Sequence, residues 1–335
     1  MARLSSSLKS LIVTLVILLA VAGTIFFTNK SVQHSLGADK LIATITHADT
    51  IAPVLQVEPL QVRLGERPNY RAEVTVSDNS GKVSLSIDSS QVDLNRGGRY
   101  KVIYTATDSA GNTTIQKTKL SVVDPNAKVV YLTFDDGPSH NTPEILKILK
   151  QNGVHATFFV TAQWPKCFPY IKQAHDEGHA IAAHSYSHKY SIYASNETFF
   201  NDLRKIEQVI AQYTGKPSKV LRFPGGSSNS AWRKYHPHSK FMKDLCQAVL
   251  DSGYQYHDWN VDSKDAEGRT STVSSIATNS CREKPRQVCI LMHDAAAKVK
   301  TVQALPAIIK FYKDRGYDFD VLDASSTYVC HHLKP

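Results

Sequence analysis

The hydrophobic and polar positions change their period twice along the chain. From Leu11 to Phe27 the sequence reads LIVTLVILLAVAGTIFF without a charge, with Arg3 and Lys9 before it and Lys30 after it. As a helix this run is about 25 Å long, the short limit for a bilayer core of about 30 Å, and extension into Ser10 and Thr28 makes a single transmembrane helix feasible. Ala20-Val21-Ala22 offers a small-x-small cleavage site, but a cut there leaves Thr24-Ile25-Phe26-Phe27 as an exposed apolar stub. Residues 1–30 therefore read as an uncleaved anchor, with secretion after signal cleavage as the alternative. Basic residues on its N-terminal side put that end in the cytoplasm and everything after Lys30 outside, at a cell membrane crossed once. Residues 31–47 are polar and read as a linker.

The next period is two. Between Val54 and Val123, short runs rich in Val, Thr, Ser and Tyr are separated by turn signals such as Asp78-Asn79-Ser80-Gly81, Asn95-Arg96-Gly97-Gly98 and Asp108-Ser109-Ala110-Gly111-Asn112. Tyr100, Val102, Tyr104 and Ala106 alternate with Lys101, Ile103, Thr105 and Thr107, which predicts an all-β sandwich over 48–124. From 125 to 335 the pattern becomes α/β. An apolar strand over 129–134 is followed by a helix near 143–151, a strand over 157–160, a helix near 168–177 and a strand over 180–183, and the alternation runs on to Val321. This order predicts a doubly wound sheet or a (β/α) barrel with polar functional residues at the C-terminal ends of its strands.

Composition narrows the class without choosing a function. With 335 residues, 42% hydrophobic and 21% charged, a wholly disordered chain, a collagen and a polytopic membrane protein are excluded. The net charge of +9 suits an anionic neighbour: nucleic acid, acidic wall polymer or lipid headgroups. No long basic run and no basic stretch interleaved with aromatics is present, so no nucleic-acid partner is expected, and no obligate protein partner is visible. Five cysteines are scattered without a C-x-x-C pair. An odd count outside the cell leaves at least one thiol unpaired; a bridge between Cys281 and Cys289 is possible, and the pairing stays open.

The candidate chemistry follows strand-like runs. Tyr131-Leu132-Thr133-Phe134 leads into Asp135-Asp136-Gly137-Pro138, and adjacent carboxylates on a strand point to opposite sides unless the turn bends them together. One can bind a metal while the other acts as a base. His184-Ser185-Tyr186-Ser187-His188 can aim two imidazoles at one ion if it forms a helical turn. With Asp136 that makes three protein ligands and one open position, the pattern of a catalytic zinc site. Arg222-Phe223-Pro224-Gly225-Gly226, Trp259 to Asp265 and Leu291-Met292-His293 each follow a further apolar or aromatic run.

Two resemblances stand on these residues. Asp49-Thr50-Ile51-Ala52-Pro53-Val54-Leu55 and Tyr100-Lys101-Val102-Ile103-Tyr104-Thr105-Ala106-Thr107-Asp108-Ser109-Ala110-Gly111-Asn112 resemble the opening and closing phrases of bacterial immunoglobulin-like modules, which implies a spacer or wall-contacting domain. Thr133 to Pro138, His184 to His188, Arg222 to Gly226, Trp259 to Asp265 and Leu291 to His293 resemble, in order, the five motifs of polysaccharide deacetylases of the NodB-homology type (carbohydrate esterase family 4). That resemblance covers residues 128–323. It implies a distorted (β/α)-barrel hydrolase that removes acetyl groups from N-acetylated sugars, or from O-acetylated xylan in some members. It also implies one divalent metal ion, commonly zinc, with cobalt or another divalent ion as alternatives.

Carried over residue by residue, the resemblance makes Asp136, His184 and His188 the metal ligands and Asp135 the general base, oriented by Arg222. The backbone N–H of Gly225 would face the oxyanion, His293 would be the general acid aligned by Asp265, and Trp259 and Leu291 would wall the groove. Two positions depart from the family pattern. Gly225 stands where many members carry an aromatic, which opens one side of the groove, and Ala266 follows Asp265 where a Trp is common. The expected function is a membrane-anchored peptidoglycan N-acetylglucosamine deacetylase facing cell-wall glycan. The alternatives are a deacetylase of chitooligosaccharide or exopolysaccharide, an acetyl-xylan esterase, or a wall-binding protein with a degenerate catalytic domain.

Overall fold

The structure is a computed structural model of the full chain, and it describes residues 49–323 except 239, 269–270 and 284, together with Ser326. The expected anchor over 1–30 and the linker over 31–47 lie outside the described residues. Among those described, no helix is long and apolar enough to cross a membrane. The chain divides into two compact units, one taking in residues 49–60, 69–92 and 101–119, the other 61–68, 93–100 and 120 onward.

The N-terminal strands follow the period-two pattern. Strand β1 (Val54–Val57) pairs antiparallel with β3 (Val74–Ser77), while β2 (Leu60–Arg63), β6 (Thr113–Val123), β5 (Gly98–Asp108) and β4 (Val83–Asp88) form a four-stranded sheet in that order. On β5 the expected alternation holds: Val102, Tyr104 and Ala106 are buried, and the next position inward is Asp108. A buried carboxylate needs donors. Asp108 finds them in the turn that follows, from the backbone N–H groups of Ala110 and Asn112 and from Nδ2 of Asn112. The polar turn after β5 thus satisfies the one charge that the strand's inward face carries.

The larger unit is built on parallel strands. In sheet order they are β11 (Gln255–Tyr256), β10 (Val220–Leu221), β9 (Ala180–Ser185), β8 (Thr157–Thr161), β7 (Val129–Asp135), β13 (Gln287–His293) and β12 (Val261–Asp262), with β14 (Asp318–Asp320) also on β7. Strand β7 pairs with β13 along its whole length. Its other edge is shared, with β14 beside residues 129–131 and β8 beside residues 133–135. Among the described residues the end strands β11 and β12 are not paired with each other, so the expected distorted barrel takes the form of a curled parallel sheet, a half-barrel open between them.

Alternation along these strands sorts the side chains into two sets. Val130, Leu132 and Phe134 of β7 join Ile145 and Leu149 in the outer core. These last belong to α1 (Thr142–Gln151), and the same core takes in Leu305 and Ile309 of α6 (Val299–Asp314). The intervening helices are α2 (Pro169–Asp176), α3 (Asn196–Thr214), α4 (Phe241–Asp251) and α5 (Val273–Ser280). Their ends carry local signals: Ser195 Oγ accepts the N–H of Thr198 at the start of α3, and Thr272 and Ser275 form a capping box at the start of α5. The opposite face of the sheet is narrower, and Tyr131, Phe159, Ala182, Val220, Cys289 and Leu322 meet there in a second cluster. Residues from both sides of β7 share it because the sheet curls.

Cys167, Cys281 and Cys289 are free thiols, which excludes the Cys281–Cys289 bridge. Cys281 ends α5 whereas Cys289 points into the sheet interior, where its Sγ lies 3.4 Å from Nη2 of Arg222. Cys330 lies outside the described residues.

Leu132 has no solvent exposure. Leu132→Ala is expected to cost about 2–5 kcal/mol through lost burial and the cavity left behind. Urea unfolding followed by tryptophan fluorescence, which reports this unit through Trp164, Trp232 and Trp259, would read it as a lower midpoint.

Candidate active site

The interior face places the chemistry. Continuing the alternation that buries Tyr131 and Thr133 brings Asp135 to the same face at the end of β7. On β9 it brings His184 after Ala182, and on β13 it brings Leu291 and His293 after Cys289. Parallel pairing then sets His293 opposite Asp135 in register. The chain leaves β7 through Asp136, whose φ is +70°. This left-handed residue breaks the alternation, so both carboxylates reach one site.

Asp136, His184 and His188 offer ligand atoms within 4.8 Å of one another. Nε2 of His188 lies 3.0 Å and Nε2 of His184 3.7 Å from Oδ1 of Asp136. That oxygen is shielded from solvent and meets no donor in hydrogen-bonding alignment. The pair of histidines is not on a helical turn. His184 is the penultimate residue of β9 and His188 follows in a loop with φ +52°, where its N–H donates to Oγ of Ser185 at 2.9 Å.

The protonation of these groups suits a cation. Burial lowers the pKa of His184. Its Nδ1 lies 2.8 Å from the carbonyl oxygen of Arg222, which can only accept. The proton therefore sits on Nδ1, and the Nε2 lone pair faces Asp136. Burial disfavours charge on Asp136 too, but the adjacent imidazoles of His188 and His184 override it and hold the carboxyl well below the usual range. For His188, burial is outweighed by Asp136, and the net shift is upward. An orphaned carboxylate oxygen, an imidazole of fixed tautomer and a second imidazole converge at the spacing of a metal site, and their donor set matches Zn2+ and similar divalent ions. A second trio, Asp49, Asp78 and Asp108, also lies within 4.8 Å but offers carboxylate oxygen alone.

Arg222 follows β10 and has no solvent exposure. Its Nη1 donates to Oδ1 of Asp135 at 2.8 Å and to Oγ1 of Thr133 at 2.7 Å. Nε donates to the carbonyl of His257 at 2.9 Å and Nη2 to that of Asp258 at 2.8 Å. The guanidinium sits 4.1 Å from the centroid of Phe159. With Oδ1 of Asp135 so committed, Oδ2 is the oxygen turned toward the cluster, 3.8 Å from Nε2 of His184.

Across the sheet, Nδ1 of His293 is 2.7 Å from Oδ1 of Asp265. Oδ2 of Asp265 accepts the N–H of His293 and the hydroxyl of Thr301. Burial would lower the pKa of His293, but the Asp265 carboxylate overrides it and pushes the imidazole up to about 9. The three remaining sequence-predicted residues take different places. Gly225, with φ +78°, lies beside Tyr190 and Asn229. Trp259 packs over Gly226, where a Cβ would stand 2.9 Å from its ring, and lies 5.6 Å from the Arg222 guanidinium. Leu291 is nearly buried, two residues below His293 on the interior face.

Several contributors escaped the sequence reading. Thr133 shares Nη1 of Arg222, and Asp258 accepts both the N–H and the hydroxyl of Ser227. Asp294 donates its N–H to the carbonyl of Asp135 and accepts from Thr142 and Ser139. Burial pushes its carboxyl up to about 7, and it fills the space a Cβ on Gly137 would need, 2.5 Å away. That last contact explains the glycine of the turn. The position of Asp294 directly after His293 was its only signal in the sequence.

A curled parallel sheet with one Arg-held carboxylate, a carboxylate–imidazole trio and an Asp-held imidazole at its strand ends has the layout of a carbohydrate deacetylase. A family model described as polysaccharide deacetylase matches residues 122–256. A peptidoglycan-N-acetylglucosamine deacetylase of Bacillus cereus is 34% identical over 206 residues, which cover 59% of this chain and 71% of that protein. Among solved structures, the catalytic domain of a peptidoglycan N-acetylglucosamine deacetylase from Eubacterium rectale matches at 36% identity and a TM-score of 0.60, over 64% of this chain and 96% of that one. A polysaccharide deacetylase from Bacillus cereus matches at 33% identity and a TM-score of 0.51, over 61% and 96%. The chain belongs to the polysaccharide deacetylase family, of the NodB-homology type.

Removing Asp136 should disable the trio without unfolding the sheet. Asp136→Ala is expected to weaken Zn2+ binding by about 100-fold or more. Calorimetric titration of the metal-stripped protein would measure it, with circular dichroism checking the fold.

Proposed function

We propose that the protein is a metal-dependent hydrolase that removes the N-acetyl group from N-acetylglucosamine residues of cell-wall glycan, peptidoglycan foremost. The observation that carries this reading is the pairing of Asp135 with His293 across adjacent strand ends beside the Asp136–His184–His188 trio. Asp136, His184 and His188 would hold a divalent ion, which would supply Lewis acidity to the acetyl carbonyl and the attacking water. The protein's own groups do the rest. Oδ2 of Asp135 takes a proton from the water as its oxygen bonds to the carbonyl carbon, while Arg222 keeps Oδ1 fixed. The N–H of Gly225 faces the oxyanion that develops. His293, which Asp265 keeps protonated at neutral pH, gives its proton to the sugar nitrogen as the C–N bond breaks. Acetate and a free amine leave.

The substrate reading draws support from the names of the relatives, which are peptidoglycan N-acetylglucosamine deacetylases, and from the net charge of +9, which suits an acidic wall. The proposed layout is an anchor over 1–30, a linker over 31–47, an immunoglobulin-like spacer over 48–124 and the catalytic domain over 125–335, held outside a cell membrane. It rests on the Leu11–Phe27 segment and on the strand pattern of the sequence. An anchored enzyme reaches the wall polymer nearest to it. A wall-binding protein with a degenerate site is disfavoured because Asp135, Asp136, His184, His188 and His293 are all present.

Acetate release by the metal-loaded, detergent-solubilised protein from peptidoglycan strands, chitooligosaccharides and acetyl-xylan tests both reaction and substrate. Asp135→Asn and His293→Ala are each expected to lower kcat by about 10²–10⁴. Full release by either variant, or none from any substrate by the wild type, contradicts the proposal. In Asp265→Asn the imidazole of His293 loses the carboxylate that raises its pKa, so it is deprotonated at lower pH. The alkaline limb of kcat/KM should then move down by about 1–3 pH units.

A further inference from the structure

The loop after β10 leaves a gap that another element fills. Gly225 takes φ +78°, and a Cβ built on it would stand 2.9 Å from the hydroxyl oxygen and 3.3 Å from Cε1 of Tyr190. The side of the groove that Gly225 was expected to open is therefore occupied by the phenol of Tyr190, which arrives from the 3₁₀ turn Tyr190–Ala194 just beyond His188. That turn is fixed in place. Tyr193 is fully buried, donates its hydroxyl to the carbonyl of Pro224 at 2.9 Å, and lies 6.2 Å from Tyr190, centroid to centroid. Tyr190 itself stays 36% exposed, and its hydroxyl makes no hydrogen bond among the described residues.

A partly exposed aromatic ring with an unused hydroxyl, beside Gly225, has the chemistry to hold a sugar. The ring offers an apolar face to the C–H groups of a pyranose, and the phenol offers a donor and acceptor to its hydroxyls. Its surroundings point the same way. In the larger unit the exposed aromatics among the described residues are Trp164, Tyr186, Tyr190 and Tyr235. All stand on loops that follow the C-terminal ends of β8, β9 and β10, the face that carries the metal-binding trio. Ala162 donates its N–H to the carbonyl of Tyr186 at 3.1 Å, joining two of those loops.

We propose that Tyr190 is a specificity-determining residue of the groove: its ring and hydroxyl hold the N-acetylated pyranose in the place left by the missing side chain at Gly225. This rests on the deacetylase reading above. The test uses the full-length, detergent-solubilised, Zn2+-loaded protein with an N-acetylglucosamine tetramer as the probe. Binding is measured by calorimetry in an Asp135→Asn background and turnover by acetate release in the wild-type background. Tyr190→Ala is expected to raise both Kd and KM about 10-fold, with kcat changed by less than about 2-fold. Tyr190→Phe, which keeps the ring, is expected to raise both about 3-fold.

Zn2+ affinity separates this role from a displacement of His188, because a glycan contact leaves it unchanged in Tyr190→Ala. Tetramer binding and KM unchanged in Tyr190→Ala, or a loss that tracks Zn2+ affinity, would overturn the proposal while the deacetylase reading stands. Neither binding nor acetate release by the parent proteins would overturn the deacetylase reading, and this one with it.

Discussion

The site depends on a guanidinium buried without any solvent exposure. A charge in that position is costly unless every donor is answered and one partner carries the opposite charge. Arg222 meets both conditions, with Asp135 as the counter-charge and Thr133, the carbonyls of His257 and Asp258, and Sγ of Cys289 as further acceptors. Its own carbonyl fixes the tautomer of His184. One residue thus ties β7, β9 and the segment after β11 into a single arrangement. It decides which oxygen of Asp135 is free and which nitrogen of His184 faces the trio.

Around that constraint, like residues are made unlike by their partners. His184 is buried against a carbonyl and shifts toward the neutral form, whereas His293 is buried against a carboxylate and shifts toward the charged one. The first suits a ligand and the second a proton donor at neutral pH. The adjacent carboxylates divide in the same way. Asp135 is engaged by Arg222, while Asp136 turns out of the strand with an unsatisfied oxygen toward two imidazoles. Separation of roles by environment needs a rigid frame, and the in-register pairing of β7 with β13 provides it.

Much of this was legible in the chain because strand periodicity is a one-dimensional signal. The alternation through Tyr131, Thr133 and Asp135 predicts which face Asp135 occupies, and the order of the five motifs predicts the partners. What the sequence hid was non-local or conformational. Left-handed backbone at Asp136 and His188 is uncommon outside glycine, and no neighbouring residue announces it, so a helical turn was the natural expectation for the histidine pair. Thr133, Asp258 and Asp294 act through contacts made 31 to 157 residues away along the chain, and Tyr190 gains its place only because Gly225 lacks a side chain. The openness of the sheet between β11 and β12 likewise depends on how far its curl runs, which no local pattern records.

The most direct test of the central claim is X-ray absorption and anomalous diffraction on the Zn2+-loaded protein. The arrangement predicts one ion bound by a carboxylate oxygen of Asp136 and by Nε2 of His184 and His188, at about 2.0–2.2 Å, within reach of Oδ2 of Asp135. An ion held by other residues, for instance His236 and His238, or no ordered ion at saturating Zn2+, would contradict it.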